Sequence, residues 1–156
     1  MMLKVVGDIG LGGLGYVNSI LISRCNKVQS PIRFCIDTGS SITIICYLDA
    51  IRIGLDYNSL EKSDQQTING VGVFTPYILS DTDILFINSE GTISCISEYV
   101  GNIHVMPPPP HSSVNTRKIN DENNNSNNQI QMSLLGMDVL KNFTISFSQN
   151  KIILSK

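Results

Sequence analysis

Phe34-Cys35-Ile36-Asp37-Thr38-Gly39-Ser40-Ser41 is an apolar run that ends in a carboxylate and passes at once into a hydroxyl, a glycine and two serines. That order suits an aspartate held at the tip of a strand inside a tight, hydrogen-bonded loop. Burial of the strand would fix Asp37. Thr38 and Ser40 are placed to hydrogen-bond the loop, and Gly39 permits a turn that a Cβ would obstruct. The run occurs once, so chemistry requiring two such carboxylates makes oligomeric state part of the mechanism.

Around this run the chain has the size of one domain, 156 residues against the usual prior of roughly 100–200 per domain. It is long enough to bury a real core and too short for two lobes. A hydrophobic content of 42%, rich in isoleucine, points to a globular, strand-rich fold. Net charge is -2 with basic residues scattered, which argues against a nucleic-acid surface, since phosphate binding needs a basic patch. No apolar run reaches the length of about 18 residues that spans a bilayer. Met1 to Asp8 lacks the sustained apolar stretch of a signal peptide. The expected setting is therefore cytoplasmic and away from membranes. Cys25, Cys35, Cys46 and Cys95 show no CxxC spacing and read as buried free thiols rather than disulfides or metal ligands. His104 and His111 flank a proline tract, and neither a structural metal nor a cofactor is expected.

Residues 16–23 and 32–37 read as strands joined by a polar turn containing Asn26, Lys27, Ser30 and Pro31. Residues 1–15, with their glycines, read as a flexible arm ahead of a domain over 16–156. Ser41 to Ile45 continues as a β-branched run. Tyr47 to Leu55 forms a short helix with Gly54 as its stop signal. Thr67 to Phe74 has the pattern of a hairpin around Asn69-Gly70, a strong short-range turn signal, and Gly70 and Gly72 leave its tip sterically open.

Short strands follow at Tyr77–Leu79, Ile84–Ile87 and Thr92–Ile96. Pro107 to Pro110 and Asn120 to Asn128 cannot bury enough apolar surface to offset ordering. About 106–129 is therefore read as a disordered Pro/Asn-rich insertion within the domain. Leu134-Leu135-Gly136 and the helix-prone Met137 to Lys141 come next. An alternating strand over Phe143–Phe147, a turn at Gln149-Asn150 and a strand over Ile152–Leu154 close the chain. Asp138 falls at the start of that helix, where an acidic side chain favours the dipole. The sequons at Asn124 and Asn142 are chance matches in a chain read without a secretion signal.

Asp37-Thr38-Gly39-Ser40, the glycine-bearing hairpin near 67–75, and Leu134-Leu135-Gly136 with its following helix together resemble a retropepsin-like aspartic protease. Ile53-Gly54-Leu55 and Asn69-Gly70 add smaller similarities. The resemblance covers about residues 16–105 and 130–155. It implies an all-β fold with one or two short helices, a closed barrel or sandwich of one lobe, and an active site at a homodimer interface.

By the same resemblance Asp37 is the catalytic carboxylate, and Thr38, Gly39 and Ser40 support its loop. Asn69, Gly70, Val71, Gly72 and Val73 form a substrate-binding flap, and Leu134, Leu135 and Gly136 back the active site. The implied reaction is hydrolysis of an extended peptide or unfolded protein by water activated between two Asp37 side chains. Serine at position 40, where many single-domain members have alanine, is the pepsin-like choice. The insertion is longer than a minimal member needs.

Three other readings compete. Gly10-Leu11-Gly12-Gly13-Leu14-Gly15 satisfies the GxGxxG dinucleotide pattern, with Asp37 at about the right distance beyond it. Against that, Tyr16 to Ser23 is strand-forming. A module with the retropepsin-like fold could dimerise or bind peptides without cleaving them. Nucleophilic catalysis by Ser40, Ser41 or a cysteine lacks a neighbouring histidine.

Overall fold

The computed structural model describes residues 2–65, 67–69, 72–109 and 132–156. The elements in chain order are β1 (Lys4–Ile9), β2 (Gly15–Ser23), β3 (Val28–Ile36), β4 (Ile44–Ile45) and α1 (Tyr47–Arg52), then β5 (Glu61–Lys62), β6 (Thr67–Asn69), β7 (Gly72–Phe74), β8 (Tyr77–Ile87) and β9 (Ile93–Val105). After residues 110–131 come β10 (Ser133–Leu135), α2 (Met137–Leu140), β11 (Thr144–Ser148) and β12 (Lys151–Ser155). Among the described residues, ten strands form one sheet in the order β11-β12-β1-β2-β3-β10-β4-β9-β8-β5. A further pairing of β2 with β8 closes six of them into a barrel.

The pairing follows from the side-chain pattern. Along β2 every second residue is buried, from Gly15 through Val17, Ser19 and Leu21 to Ser23. A period of two places one face of the strand in the core. Leu21 and Phe34 meet Ile84, Phe86, Leu135 and Leu140 in that core, and Ile152 and Leu154 from the last strand join them. Phe86 packs edge-on against Phe143, with ring centroids 5.6 Å apart. Four of the inward positions are hydroxyls rather than hydrocarbons. Ser19 Oγ donates to Ile32 O, Ser94 Oγ to Phe86 O and Thr82 Oγ1 to Leu79 O, while Ser23 Oγ donates to Ser80 O. Each thereby avoids the cost of an unpaired buried group.

The expected mostly β, closed-barrel architecture is present, with corrections at several places. Residues 4–9 do not belong to a flexible arm. They form β1, paired antiparallel with β12 from Lys4↔Ser155 to Asp8↔Lys151, and Val5 is fully buried. Ser30 and Pro31 are not in the turn but in β3, opposite Leu21 and Ile20. Pro31 is tolerated because pairing of β3 with β10 starts only at Phe34, so its missing N–H interrupts no second ladder. The segments 77–79 and 84–87 are one strand, bent where Asp81 adopts a φ of 50°. The candidate strand at 92–96 runs on to Val105.

The start of the presumed insertion is also packed. Met106 is buried, its N–H donates to Ile45 O, and its carbonyl accepts from Tyr57 Oη at 2.7 Å. Burial pushes the Tyr57 hydroxyl well above its ordinary range, with the neighbouring Tyr47 adding to it, so this group stays a donor. Residues 110–129 of the insertion lie outside the described residues. Of the thiols, Cys35 and Cys46 are buried and free as expected, whereas Cys25 is exposed in the β2–β3 turn. Among the described residues no helix is long and apolar enough to cross a membrane.

Truncating Phe86 to alanine is expected to cost about 3–5 kcal/mol, the usual range for a phenylalanine in a closed core. Ile93→Ala, at a position 64% exposed, should stay within about 0.5 kcal/mol. Urea unfolding of both variants measures the contrast. Equal effects would mean that the barrel interior is not the principal core.

Candidate active site

Strand β3 ends at Ile36, and the peptide of Asp37 is the first beyond it. Its N–H still donates to Leu135 O at 3.1 Å, continuing the parallel pairing of Leu134 with Cys35 and Leu135 with Ile36. The chain then turns. Gly39 N–H donates to Asp37 Oδ1 at 2.9 Å, and Ser40 N–H donates to Asp37 O at 3.2 Å. A Cβ on Gly39 would lie 3.2 Å from the same Asp37 oxygen, so a side chain there would crowd the carboxylate. Ser40 is buried, and its hydroxyl donates to Ile42 O at 2.7 Å. Thr38 and Gly39 are exposed and Asp37 is half-buried. The loop thus holds one carboxylate at the surface with one of its oxygens already oriented.

The Leu134-Leu135-Gly136 segment lies against this loop. β10 sits between β3 and β4, and Gly136 passes so close to the loop that a Cβ would fall 2.2 Å from Ile42 O. Its φ of -96° is ordinary, so space alone demands glycine here. Beyond it, Met137 N–H donates to Ser40 O at 2.8 Å and Asp138 N–H to Ser41 O at 3.2 Å. The short helix α2 is therefore bonded directly to the loop that carries Asp37.

Asp138 does sit in the first turn of α2, and its Oδ1 accepts the Val139 N–H at 3.0 Å. The carboxylate also reaches outward. Oδ2 accepts the Thr43 N–H at 2.9 Å, and Oδ1 accepts the Thr43 hydroxyl at 2.7 Å. Thr43 is fully buried, and its hydroxyl oxygen takes the Gly136 N–H at 3.1 Å. Reading Asp138 only as a helix-dipole residue missed this clamp. The available signal was a lone polar residue, Thr43, inside the apolar run Ile42 to Ile45. A second network was missed in the same way: Ser133 Oγ donates to Asp49 Oδ2 and accepts the Cys46 N–H, tying β10 to α1.

The β6–β7 hairpin pairs Thr67 with Phe74, Ile68 with Val73 and Asn69 with Gly72. Gly70 and Val71, the tip of the expected flap, lie outside the described residues. Val73 is exposed, while Phe74 packs against the cluster formed by Cys35, Ile44, Cys46, Met106 and Leu134. The base of the hairpin is thereby anchored on neighbours of Asp37. Elsewhere, a cavity of about 340 Å³ is lined by Asn18, Arg33, Asp49 and Arg52 among others, with no residue of the Asp37 loop.

The geometry speaks against the dinucleotide reading and against activated thiols at Cys35 and Cys46. Apart from one 3-10 turn at Leu11–Gly13, the chain passes from the glycine run into strand β2, antiparallel to β1, so no α-helix follows the glycines to receive a pyrophosphate. Gly12 and Gly13 instead make a tight turn at positive φ values of 82° and 78°. Burial pushes the Cys35 thiol up, Asp37's charge adding to it and Arg33's opposing it. Burial likewise raises Cys46. Neither thiol has the lowered pKa of an activated nucleophile.

Comparison with solved structures gives the fold a family likeness. The chain is similar to the crystal structure of a retropepsin-like aspartic protease from Rickettsia conorii, with a TM-score of 0.57 and 20% sequence identity. The match covers 99% of this chain and 92% of that one. No family model and no curated protein matches the sequence. The fold is therefore retropepsin-like, and Asp37 occupies the end of a strand in that barrel.

Because backbone atoms of Ile42 block any Cβ at Gly136, Gly136→Ala is expected to destabilise the protein by about 3 kcal/mol or more, at the upper end of overpacking costs. Thermal unfolding measures it. Wild-type stability in this variant would show that the Gly136 crossing does not constrain the loop.

Proposed function

We propose that the protein is an aspartic endopeptidase acting as a homodimer, with one Asp37 from each subunit. The observation that carries this reading is the exposed loop presenting a single oriented carboxylate, Asp37 Oδ1 bonded to Gly39 N–H, in a barrel similar to that of a retropepsin-like aspartic protease. One carboxylate cannot both take a proton from water and give one to the substrate oxygen. Two carboxylates about 3 Å apart repel by about 5 kcal/mol at an effective dielectric near 20. They therefore share one proton, as the carboxylate pairs of aspartic proteases do. The ionised partner takes a proton from a water between them, the water attacks the scissile carbonyl, and the protonated partner hydrogen-bonds the carbonyl oxygen. Neither an acyl-enzyme nor a metal enters this scheme.

In this reading Thr38 supplies a hydrogen bond across the two-fold axis, and the hairpin around Asn69 to Val73 closes as a flap over an extended peptide and excludes water. Leu134, Leu135 and Gly136 back the loop. Exposed Val73 on the hairpin fits a preference for extended, largely apolar segments. The free thiols Cys25, Cys35 and Cys46 fit a reducing, cytoplasmic setting.

A non-cleaving module that only dimerises or binds extended peptides is the second reading, because a retropepsin-like fold does not by itself require cleavage. The two separate cleanly. Asp37→Asn should abolish cleavage of an unfolded protein, a loss of at least about 10³-fold, while leaving the dimer and its unfolding midpoint in place. The parent should be most active at acidic to mildly acidic pH and be blocked by a transition-state-mimicking aspartic protease inhibitor. Cleavage at parental rates by Asp37→Asn would exclude the peptidase reading.

A further inference from the structure

The cavity of about 340 Å³ lies where α1 meets β2 and β3, and its lining sets Arg33 and Arg52 against one carboxylate, Asp49. That carboxylate is already used. Asp49 Oδ1 accepts Arg52 Nε at 3.1 Å and Nη2 at 2.9 Å, and Oδ2 accepts the Ser133 hydroxyl at 2.6 Å. Arg52 Nη2 also donates to Pro31 O at 3.0 Å, which fixes that guanidinium against β3. Asp49 therefore balances Arg52 and leaves the charge of Arg33 over. Arg33 is exposed, and among the described residues no carboxylate pairs with it.

The Arg33 side chain is also aimed. In register Asn18 stands opposite Arg33 and Tyr16 opposite Cys35, yet the guanidinium carbon sits 4.3 Å from the centre of the Tyr16 ring. The side chain thus leans along the sheet toward the end of β3 that carries Asp37. Stacking on an aromatic face holds a guanidinium flat while its edge N–H groups stay free for a two-pronged contact with a carboxylate. Cys35, level with that ring, lies about 7 Å of strand before Asp37, and Arg33 itself about 13 Å. An extended peptide rises by a similar amount per residue, so a chain held at Asp37 reaches this charge within about two to four residues.

We propose that Arg33, with the cavity behind it, is a specificity-determining subsite for an acidic side chain of the substrate. The proposal rests on Asp37 being the reacting carboxylate. The ligand class follows from the charge left over: a substrate glutamate or aspartate supplies the negative partner that the chain itself does not. A neutral side chain of the same shape forgoes that attraction, and a lysine meets repulsion. The cavity, at the small end of ligand sites, takes one side chain with its flanking backbone rather than a large cofactor.

The test uses peptides that differ only in Glu against Gln at one position, scanned about two to four residues to each side of the scissile bond. The parent should cleave the best-placed Glu peptide with a kcat/KM about tenfold above its Gln twin, the scale of one charge-assisted hydrogen bond at an open site. That ratio should fall towards unity at high salt. Arg33→Glu should reverse the order and favour a Lys peptide over the Glu peptide, which a loss of stability alone does not do. Arg24→Gln, in the β2–β3 turn and already paired with Asp81 and Asp83, should keep the parental ratio. The same peptides bound to Asp37→Asn report the preference as a ratio of Kd values without chemistry. Equal kcat/KM for Glu and Gln peptides at every position in the parent overturns the proposal, as does a Glu preference kept in Arg33→Glu. Where Arg33→Glu fails to fold, the parental ratios and their salt dependence decide. A parent that cleaves none of the peptides removes the peptidase reading, and equal Kd values in Asp37→Asn then overturn the subsite as well.

Discussion

The passage of Gly136 against the backbone of Ile42 is the contact on which the rest of the structure depends. With 2.2 Å between a would-be Cβ and Ile42 O, the two segments cross closer than any side chain allows. That closeness lets Met137 and Asp138 donate to Ser40 and Ser41, and it brings the Asp138 carboxylate to Thr43. The β10–α2 corner is thereby locked to a distant stretch of chain, the end of β3 with its loop and β4. Neutral hydrogen bonds of this kind contribute about 1 kcal/mol each. Their value here is geometric, because they fix the direction of one carboxylate on the surface of the barrel.

The site has two layers with different chemistry. The outer layer is the turn Asp37 to Ser40, exposed at Thr38 and Gly39 and pre-set by the Gly39 N–H on Asp37 Oδ1. The inner layer is buried Thr43 with half-buried Asp138, joined by two hydrogen bonds. Withdrawing a carboxylate even partly from water is costly unless its oxygens are satisfied, and Asp138 receives three donors. Asp37 differs in its donors: only Gly39 N–H is bonded to its side chain among the described residues, leaving the other oxygen open to solvent or substrate.

Much of this was legible in the sequence because it is local. The strand ending in Asp37, the stop of α1 before Gly54, the hairpin around Asn69 and the terminal hairpin turning at Gln149-Asn150 all follow from neighbours in the chain. The last of these places Gln149 and Asn150 at positive φ of 43° and 64°, as the right-handed twist of a tight hairpin demands. What escaped is non-local. β1 is a short strand containing Gly7 and Asp8, and it becomes structure only by pairing with β12, whose register begins at Lys4↔Ser155. Pro31 looks like a turn residue until β3 is seen to lack a second neighbour there. Thr43 and Asp138 stand 95 positions apart, and nothing in either segment alone announces their contact.

The account's central claim is that two Asp37 side chains, one from each of two copies, make one catalytic centre. Mixing the parent with Asp37→Asn at constant total protein, after subunit exchange and with the dimer verified by solution mass, tests it most directly. Random pairing makes activity follow the square of the parent fraction, so an equal mixture should retain about one quarter of the parent's rate. A rate falling in simple proportion, with about half remaining in the equal mixture, would show that each chain works alone and would contradict the account.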